Sequence, residues 1–547
     1  MADKSYDAII IGGGTKGLTL AIYLAKYGKM DVAVFERRHE LGGGWATEES
    51  PAPGFMSNNH ANNIAEWYLN VYRWDFPDFE EKGVKWIPYK VSCGAIFRED
   101  HSCITFYGKA NDPSHERTAS EIARFSQKDA DTYLKHRRFV DEVFGPASLE
   151  YFHNPPTPPG VPDAVERALE RAFSDPDLGI DPSWIFRSPL QVMRDVFESE
   201  ALIAALLRIA YQWTGNSPDM DGGGLFQYMG AFGFDEGFGC MRGGTHTFAH
   251  ATYRILIENG GATFTKHEVD KILIENGRAK GVRLLDGTDV EARKLVVSTL
   301  DPETLCFRFI GKDYFNPKVL RRVANLERKA ITINWYFWAV HELPKYKAAS
   351  FNPDINDVGS LFLGNKDPEI LVKECCWRKL GKIPPELTLQ LMPNAIVDKT
   401  QAPEGKYNIL HEQFTVPASA LTEKGWREYK KSHAEQVIKT WHEYAPNMTW
   451  DNVIGYAPNT PFDVCRNANM APEGNWGVID QITSQWGRWR PIPEMSGYRT
   501  PINNLYATGA AWHPGGGGMA CNGYNCYKII AEDFGLEKPW KKDGRPY

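Results

Sequence analysis

Several features are scarce in this sequence of 547 residues, and each absence excludes a class of protein. No apolar run approaches the roughly 20 residues that a membrane-spanning helix needs. The formal net charge is −7, which argues against a nucleic-acid partner because phosphate backbones require basic surfaces. The nine cysteines form no Cys-x-x-Cys pair, so neither a zinc site nor a redox disulfide is expected. Internal repeats and low-complexity tracts are also missing.

These absences predict a globular protein with reduced thiols. A first strand predicted almost at the N-terminus argues against a signal peptide. We therefore expect a cytoplasmic location, with peripheral contact at a membrane surface left open.

A glycine-rich segment near the N-terminus has the pattern of a dinucleotide-binding turn. The apolar residues 8–11 are typical of a strand buried on both faces of a parallel sheet. Gly12, Gly14 and Gly17 fill the G-x-G-x-x-G frame, which gives a tight turn, close approach of backbone to a pyrophosphate and close packing of helix on strand. The apolar spacing that follows predicts a helix ending near Gly28. The N-terminus of that helix would bind the pyrophosphate.

An acidic residue follows the second predicted strand, at residues 32–35. Glu36 lies about 20 residues beyond Gly17, the spacing at which a carboxylate accepts a hydrogen bond from a ribose hydroxyl and repels a 2′-phosphate. Strand, helix and acid all fall in the expected order, so the sequence predicts a bound nucleotide.

A second signature lies near the other end of the chain. Residues 501–518 read Pro-Ile-Asn-Asn-Leu-Tyr-Ala-Thr-Gly-Ala-Ala-Trp-His-Pro-Gly-Gly-Gly-Gly. Together the two segments predict that one flavin nucleotide is held by both ends of the chain. The glycines at 222–224 neither follow a clear strand nor fit the frame, so tightly bound NAD(P)H is not expected.

The order of the predicted elements indicates two interleaved units. Short strands joined by glycine turns at residues 263–299, after a helix that follows residue 242, extend the nucleotide-binding unit. The predicted fold class is α/β, with a discontinuous Rossmann-type FAD-binding domain and an α+β substrate domain built on a mixed sheet. The predicted FAD-binding domain comprises residues 1–90, 235–305 and 480–547, and the substrate domain residues 91–234 and 306–479.

Local patterns within the substrate domain give further expectations. Residues 117–144 are predicted to be helical, with a capping box starting at Thr118, and an apolar helix is expected over 190–211. Strands are expected at residues 331–340, 387–391 and 409–416. Alternation along the first of these places Trp335 and Phe337 on one face and Tyr336 and Trp338 on the other. One face could line a substrate tunnel, but core packing is the simpler interpretation.

The combined pattern resembles the phytoene desaturase and carotenoid isomerase family, within the flavin amine oxidase superfamily. The resemblance rests on residues 12–17, Glu36 with the glycines at 42–43, residues 242–244, the strand unit at Val269, and residues 508–517. The last segment is the most specific and is similar to the family's Gly-Ala-Gly-Thr-His-Pro-Gly-Gly-Gly. The resemblance implies noncovalent FAD, a substrate tunnel that meets the isoalloxazine ring, and removal of hydrogen from allylic carbons or flavin-dependent double-bond isomerisation.

The residues predicted to bind FAD come from these segments, and no metal site is predicted. They are Gly12, Gly14, Thr15, Lys16, Gly17, Glu36, Arg37, Gly43, Gly44, Trp45, Val269, Gly509, His513, Gly516, Gly517 and Met519.

The sequence departs from the family pattern at positions expected to face the flavin. The family's Gly-Phe-x-Phe-Asp-x-Gly stretch reads Gly-Phe-Met-Ser-Asn-Asn-His at residues 54–60, and the threonine of the C-terminal motif is Trp512. The final helix begins with the polar Asn522. This bulk and polarity suggest a smaller or more polar-ended substrate than a long polyene, such as a monoterpenoid. His60 is the predicted catalytic residue, because an imidazole can accept a proton during hydride transfer or activate water. A purely structural hydrogen bond to nearby backbone is the alternative.

The predicted function is that of an FAD-dependent dehydrogenase or desaturase that takes hydride from an allylic carbon of an isoprenoid or terpenoid-like substrate, with proton loss or water capture to follow. The expected partners are a hydrophobic small molecule and an electron acceptor, which could be oxygen, a quinone or an electron carrier. Oligomer formation stays open. Alternatives are an isomerase or hydratase without net redox change, an amine oxidase, and a non-enzymatic relative of the Rab GDP-dissociation inhibitors.

Overall fold

The computed structural model describes residues 5–235, 237–468, 470, 472–518, 520–542, 545 and 547. Its strands are β1 (Ser5–Ile11), β2 (Val32–Phe35), β3 (Thr47–Glu49), β4 (Met56–Asn58), β5 (Ile64–Ala65), β6 (Trp86–Pro88), β7 (Val91–Phe97), β8 (Cys103–Tyr107), β9 (Phe238–Met241), β10 (Ala262–Phe264), β11 (Val269–Glu275), β12 (Arg278–Leu284), β13 (Asp289–Ser298), β14 (Ile333–Val340), β15 (Val358–Gly364), β16 (Leu389–Met392), β17 (Tyr407–Phe414), β18 (Val453–Asn459) and β19 (Leu505–Ala507).

The α-helices lie between these strands. They are α1 (Thr15–Lys26), α2 (Asn70–Asp75), α3 (Glu116–Ala123), α4 (Gln127–Phe139), α5 (Gly145–Phe152), α6 (Ala164–Phe173), α7 (Pro189–Val196), α8 (Glu200–Thr214), α9 (Gly224–Ala231), α10 (His246–Glu258), α11 (Pro317–Ala324), α12 (Glu369–Lys379), α13 (Glu423–Tyr444), α14 (Pro461–Asn467) and α15 (Cys521–Phe534).

The first sheet has the Rossmann-like arrangement that the sequence predicted. Its order is β10-β2-β1-β13-β12-β11, and β19 also pairs with β13. The strands β10, β2, β1, β13 and β19 run parallel, while β11 and β12 form an antiparallel extension. Both β1 and β2 are almost wholly buried, as expected for parallel strands covered on both faces. Residues from three separate stretches of the chain therefore meet in one sheet.

The second sheet is mixed, as predicted. Its order is β18-β14-β17-β16-β15-β7-β8, in which β15 and β7 are parallel and the other pairs are antiparallel. Trp335 and Phe337 on β14 pack into the larger hydrophobic core, whereas Tyr336 and Trp338 pack into a second core on the opposite face. The alternation predicted for this strand is confirmed.

Two helical predictions need correction. The apolar stretch 190–211 forms two helices, α7 and α8, because the chain is extended at Phe197 and Ser199 then caps α8 by accepting a hydrogen bond from the Leu202 amide. No capping box starts at Thr118, which lies inside α3. Its hydroxyl donates to Asp112 and accepts from the Tyr107 amide, so tertiary contacts use the group that the pattern assigned to a helix start.

No helix within the described residues is long and apolar enough to cross a bilayer.

Candidate functional site

A single cavity of about 370 Å³ connects the glycine-rich loops of the first sheet with one face of the second sheet. Fourteen of the sixteen predicted cofactor-binding residues line it, together with the predicted catalytic residue His60. These fourteen are Gly12, Gly14, Thr15, Lys16, Gly17, Glu36, Arg37, Gly43, Gly44, Trp45, Val269, Gly509, Gly516 and Gly517.

The glycines of the first loop are required by close packing. Gly12 has φ +102°, and a Cβ atom there would lie 2.2 Å from the Thr299 Oγ1 atom. A Cβ on Gly17 would lie 2.3 Å from the Gly12 carbonyl oxygen. By contrast, a Cβ on Gly14 would meet nothing closer than 3.9 Å, so this backbone faces open space. Gly14 is also the residue before α1, and no side chain among the described residues caps that helix. The uncapped amides at the start of this helix can therefore bind a pyrophosphate.

Glu36 organises the same loop. Its Oε2 atom accepts a hydrogen bond of 2.8 Å from the Gly13 amide, and its Oε1 atom accepts one of 2.8 Å from the Arg38 amide. The carboxylate also lines the cavity, so it can still accept a hydrogen bond from a ribose hydroxyl. These contacts fit the role predicted from the spacing after Gly17.

Lys16 is a buried cation on the wall of the cavity. Its Nζ atom donates to the Gly516 carbonyl at 3.2 Å, which links the N-terminal and C-terminal glycine segments. Burial lowers the pKa of the Lys16 ammonium to about 8. A bound anionic group would favour the charged form, so this position suits a phosphate or another negative centre of a cofactor.

Aromatic and apolar side chains also line the cavity, and a row of polar side chains lies among them. The apolar lining comprises Tyr68, Trp213, Phe238, Ile333, Trp335 and Met392. Glu412 on β17 lies opposite Trp335 on β14 and Gln390 on β16. All three side chains line the cavity, as does Gln212 of α8. We call Gln212, Trp335, Gln390 and Glu412 the polar row.

His60 lies in the cavity, but its environment does not favour a protonated ring. The imidazole packs edge-on against Trp335 with ring centroids 5.4 Å apart, and its Nδ1 atom has no hydrogen-bond partner among the described residues. Burial, with a smaller contribution from the charge of Arg38, lowers the pKa of His60 to about 3. The ring is therefore neutral and weakly basic at neutral pH.

The structure does not bring His513 to the cavity, and Met519 lies outside the described residues. His513 is fully buried, and its Nε2 atom lies 2.9 Å from the Tyr151 carbonyl oxygen, so its contacts position α5. Trp512 was also expected to shape the pocket. Trp512 does not line the cavity, and its Nε1 atom donates to the Met495 carbonyl.

Asn522 holds the C-terminal glycine segment in place. Its Nδ2 atom lies within 3.2 Å of four carbonyl oxygens, those of Gly509, Trp512, His513 and Gly515. The side chain is fully buried and does not line the cavity. Asn522, at the polar start of the final helix, therefore supports the loop.

The polar row was missed in the sequence. An available signal was the charged residue Glu412 within the predicted strand at residues 409–416, since a charged residue on a buried strand is unusual unless it is paired or functional. Among the described residues, no cluster of three or more His, Cys, Asp or Glu side chains could hold a metal ion.

Known proteins resemble this chain over nearly its full length. Residues 10–74 match the NAD(P)-binding Rossmann-like domain. The chain is 28% identical to pyridine nucleotide-disulfide oxidoreductase domain-containing protein 2 of Mus musculus, with 97% of this chain and 94% of the relative covered. It is 26% identical to a limonene dehydrogenase polypeptide of Castellaniella defragrans (98% and 96%), and 21% identical to 4,4′-diaponeurosporene oxygenase of Staphylococcus haemolyticus (93% and 93%).

Solved structures share the fold. Putrescine oxidase bound to putrescine aligns with a TM-score of 0.58 at 13% identity, covering 97% of this chain and 99% of that one. The chain is therefore similar, over nearly its full length, to proteins named as oxidoreductases, dehydrogenases and oxygenases. The fold alone does not decide the chemistry, because a Rab GDI from Plasmodium falciparum also aligns, with a TM-score of 0.51 at 11% identity and coverage of 97% and 98%. The oxidoreductase relatives and the Rossmann-like match support a flavin-type dinucleotide cofactor.

Glu36→Ala is expected to weaken binding of the flavin dinucleotide at least about tenfold, because a hydrogen bond to a charged group contributes about 1.5–3 kcal/mol. The dissociation constant would be measured by titrating the apoprotein. Glu49→Ala is the matched control, since Glu49 is exposed and lies outside the cavity. An unchanged dissociation constant in Glu36→Ala would remove Glu36 from the binding site.

The His60 imidazole is expected to stay neutral down to about pH 5, because its pKa lies well below the usual value of about 6.5. Nitrogen-15 NMR of selectively labelled histidines would show this, with His60→Gln identifying the resonance. A titration midpoint near pH 6.5 would contradict the burial argument.

Proposed function

We propose that this protein is an FAD-dependent oxidoreductase that removes hydride from an allylic carbon of an isoprenoid or terpenoid-like substrate. The observation that carries the proposal is one continuous cavity whose lining includes both the glycine loops and a set of apolar and aromatic side chains. Two of its relatives, the limonene dehydrogenase polypeptide and 4,4′-diaponeurosporene oxygenase, are named for terpenoid substrates.

The residues at the loop end fit FAD. The amides at the start of α1 are available to the pyrophosphate, and the Glu36 carboxylate is available to the ribose. Lys16 supplies a positive charge within the same cavity. When bound, the flavin ring supplies the capacity to accept a hydride, which no side chain of the protein has.

The protein itself would supply geometry and exclusion of water. Trp213, Trp335 and Met392 present flat or flexible apolar surfaces suited to an unsaturated hydrocarbon. A low-dielectric wall strengthens the effect of any nearby charge on a carbon that becomes electron-deficient. Oxygen, a quinone or an electron carrier would then reoxidise the cofactor.

An amine oxidase activity is the second candidate, and Glu412 is the observation that favours it. A carboxylate at the far end of a flavin cavity could hold a substrate ammonium group. The buried guanidinium of Arg208, which is joined to Glu412 through Gln212, opposes this because it would repel a second cation.

The two candidates are separated by anaerobic titration of the purified flavoprotein. A panel of monoterpenes, longer isoprenoids and amines would be added in turn while the visible flavin band is recorded. Bleaching by a terpenoid and not by amines is expected. Bleaching by amines alone would contradict the proposal. Conversion of a terpenoid only by prereduced protein, without net oxidation, would favour an isomerase.

A further inference from the structure

The polar row places a largely buried carboxyl group, that of Glu412, on the wall of the cavity. Glu412 is central in the row because β17 lies between β14 and β16. Its Oε1 atom accepts a hydrogen bond of 2.9 Å from Trp335 Nε1, and its Oε2 atom accepts one of 2.7 Å from Gln212 Nε2. Each oxygen thus has one fixed donor and keeps further acceptor capacity.

An unsatisfied acceptor lies beside this carboxyl group. Gln390 faces Glu412 across the strand pair and is 1% exposed. Its Nε2 atom donates to Ser360 Oγ at 2.6 Å, while its Oε1 atom has no hydrogen-bond partner among the described residues. Buried acceptors are normally satisfied, so this oxygen is available to a polar hydrogen in the cavity.

The charged groups around Glu412 leave it able to bind or release a proton near neutral pH. Burial raises the pKa of Glu412 to about 7, against the opposing effects of the Trp335 hydrogen bond and the Arg208 charge. From α8, Arg208 donates to Gln212 Oε1 at 2.9 Å. Behind Arg208, the Glu374 carboxylate on α12 provides a compensating negative charge. On the side of β14, the His60 ring contacts Trp335. Because the pKa of His60 is lowered, this ring is neutral and adds no positive charge near Glu412.

We propose that Glu412 is a catalytic residue that accepts the proton released when the substrate is oxidised. This inference rests on the proposed function and replaces His60 as the proton acceptor. It also gives the polar row a role, since Trp335 and Gln212 fix the direction of the carboxylate oxygens toward the cavity.

The proposed step balances as a desaturation. The substrate loses hydride from its allylic carbon and a proton from the neighbouring carbon, and a C=C bond forms between the two. The substrate is thereby oxidised by two electrons, which the flavin gains with the hydride. The proton goes to the Glu412 carboxylate and leaves to solvent when the product departs.

Rapid-mixing measurement of flavin reduction tests this assignment. The rate constant at saturating terpenoid is expected to rise with pH through about 7 and then level off, because the deprotonated carboxyl is the active form. Glu412→Gln should lower the plateau at least about 100-fold and remove the pH dependence. Glu412→Asp should recover part of the rate and keep the pH dependence. Glu412→Gln with the wild-type rate and pH profile would overturn the inference and leave the proposed function standing.

Glu374→Gln is the matched control for this series. Glu374 is also a buried carboxyl, held by Tyr211 and Thr388, but it does not line the cavity. This variant should keep a pH-dependent rate and a plateau close to that of the wild type, with the midpoint moved to lower pH because the Arg208 charge is then less compensated. A thermal unfolding measurement on both glutamine variants separates a loss of fold from a loss of proton transfer.

An infrared titration gives a readout that needs no substrate. The carbonyl band of a protonated carboxyl should disappear as pH rises through about 7, persist in Glu374→Gln and be missing from Glu412→Gln. A missing band in the wild-type protein would contradict the inference. If the band titrates as expected but no isoprenoid reduces the flavin, the proposed function fails instead.

Discussion

The site depends on strand β13, which pairs in parallel with β1 on one side and with β19 on the other. This pairing brings the carboxyl ends of three strands, from distant stretches of the chain, next to one another. Thr299, directly after β13, then fixes the geometry of two loops. Its Oγ1 atom donates to the Ile11 carbonyl at 2.8 Å and leaves no room for a side chain at Gly12, while its carbonyl oxygen would lie 2.6 Å from a Cβ at Gly509. Both glycine segments are therefore positioned by one residue between them.

From this junction the cavity extends to the second sheet, where the chemistry changes from polar backbone to aromatic side chains. Lys16 and Glu412 both line the cavity, one a buried cation and the other a buried carboxyl. Taking either charge out of water is costly unless a ligand or a proton compensates it. This cost is offset if an anionic cofactor lies beside Lys16 and a proton-releasing substrate lies beside Glu412.

Much of the first sheet could be predicted from the sequence because its signals are local. The glycine frame at 12–17 and the acid at Glu36 stand at fixed distances along the chain, and apolar runs mark β1, β2 and β13. Fourteen predicted cofactor residues consequently line the cavity. The alternation of Trp335 to Trp338 was likewise readable, since period two is intrinsic to a strand.

The polar row could not be predicted in the same way. Trp335, Gln390 and Glu412 become neighbours only through the register of β14, β17 and β16, which no local pattern fixes. His513 and Trp512 were expected near the cavity because of their place in the sequence, but the structure puts them elsewhere. They sit in a motif that contacts the cavity, but the turn directs them into the core, where Tyr151 and Met495 bind them.

The central claim is that one cavity holds the flavin dinucleotide at the Glu36 end and an apolar substrate at the Glu412 end. A crystal structure of the flavoprotein soaked with an unreactive saturated terpenoid tests this most directly. The account predicts density for the terpenoid between Trp335, Met392 and Glu412. A terpenoid bound only at the outer surface, or a dinucleotide bound away from Glu36, would contradict it.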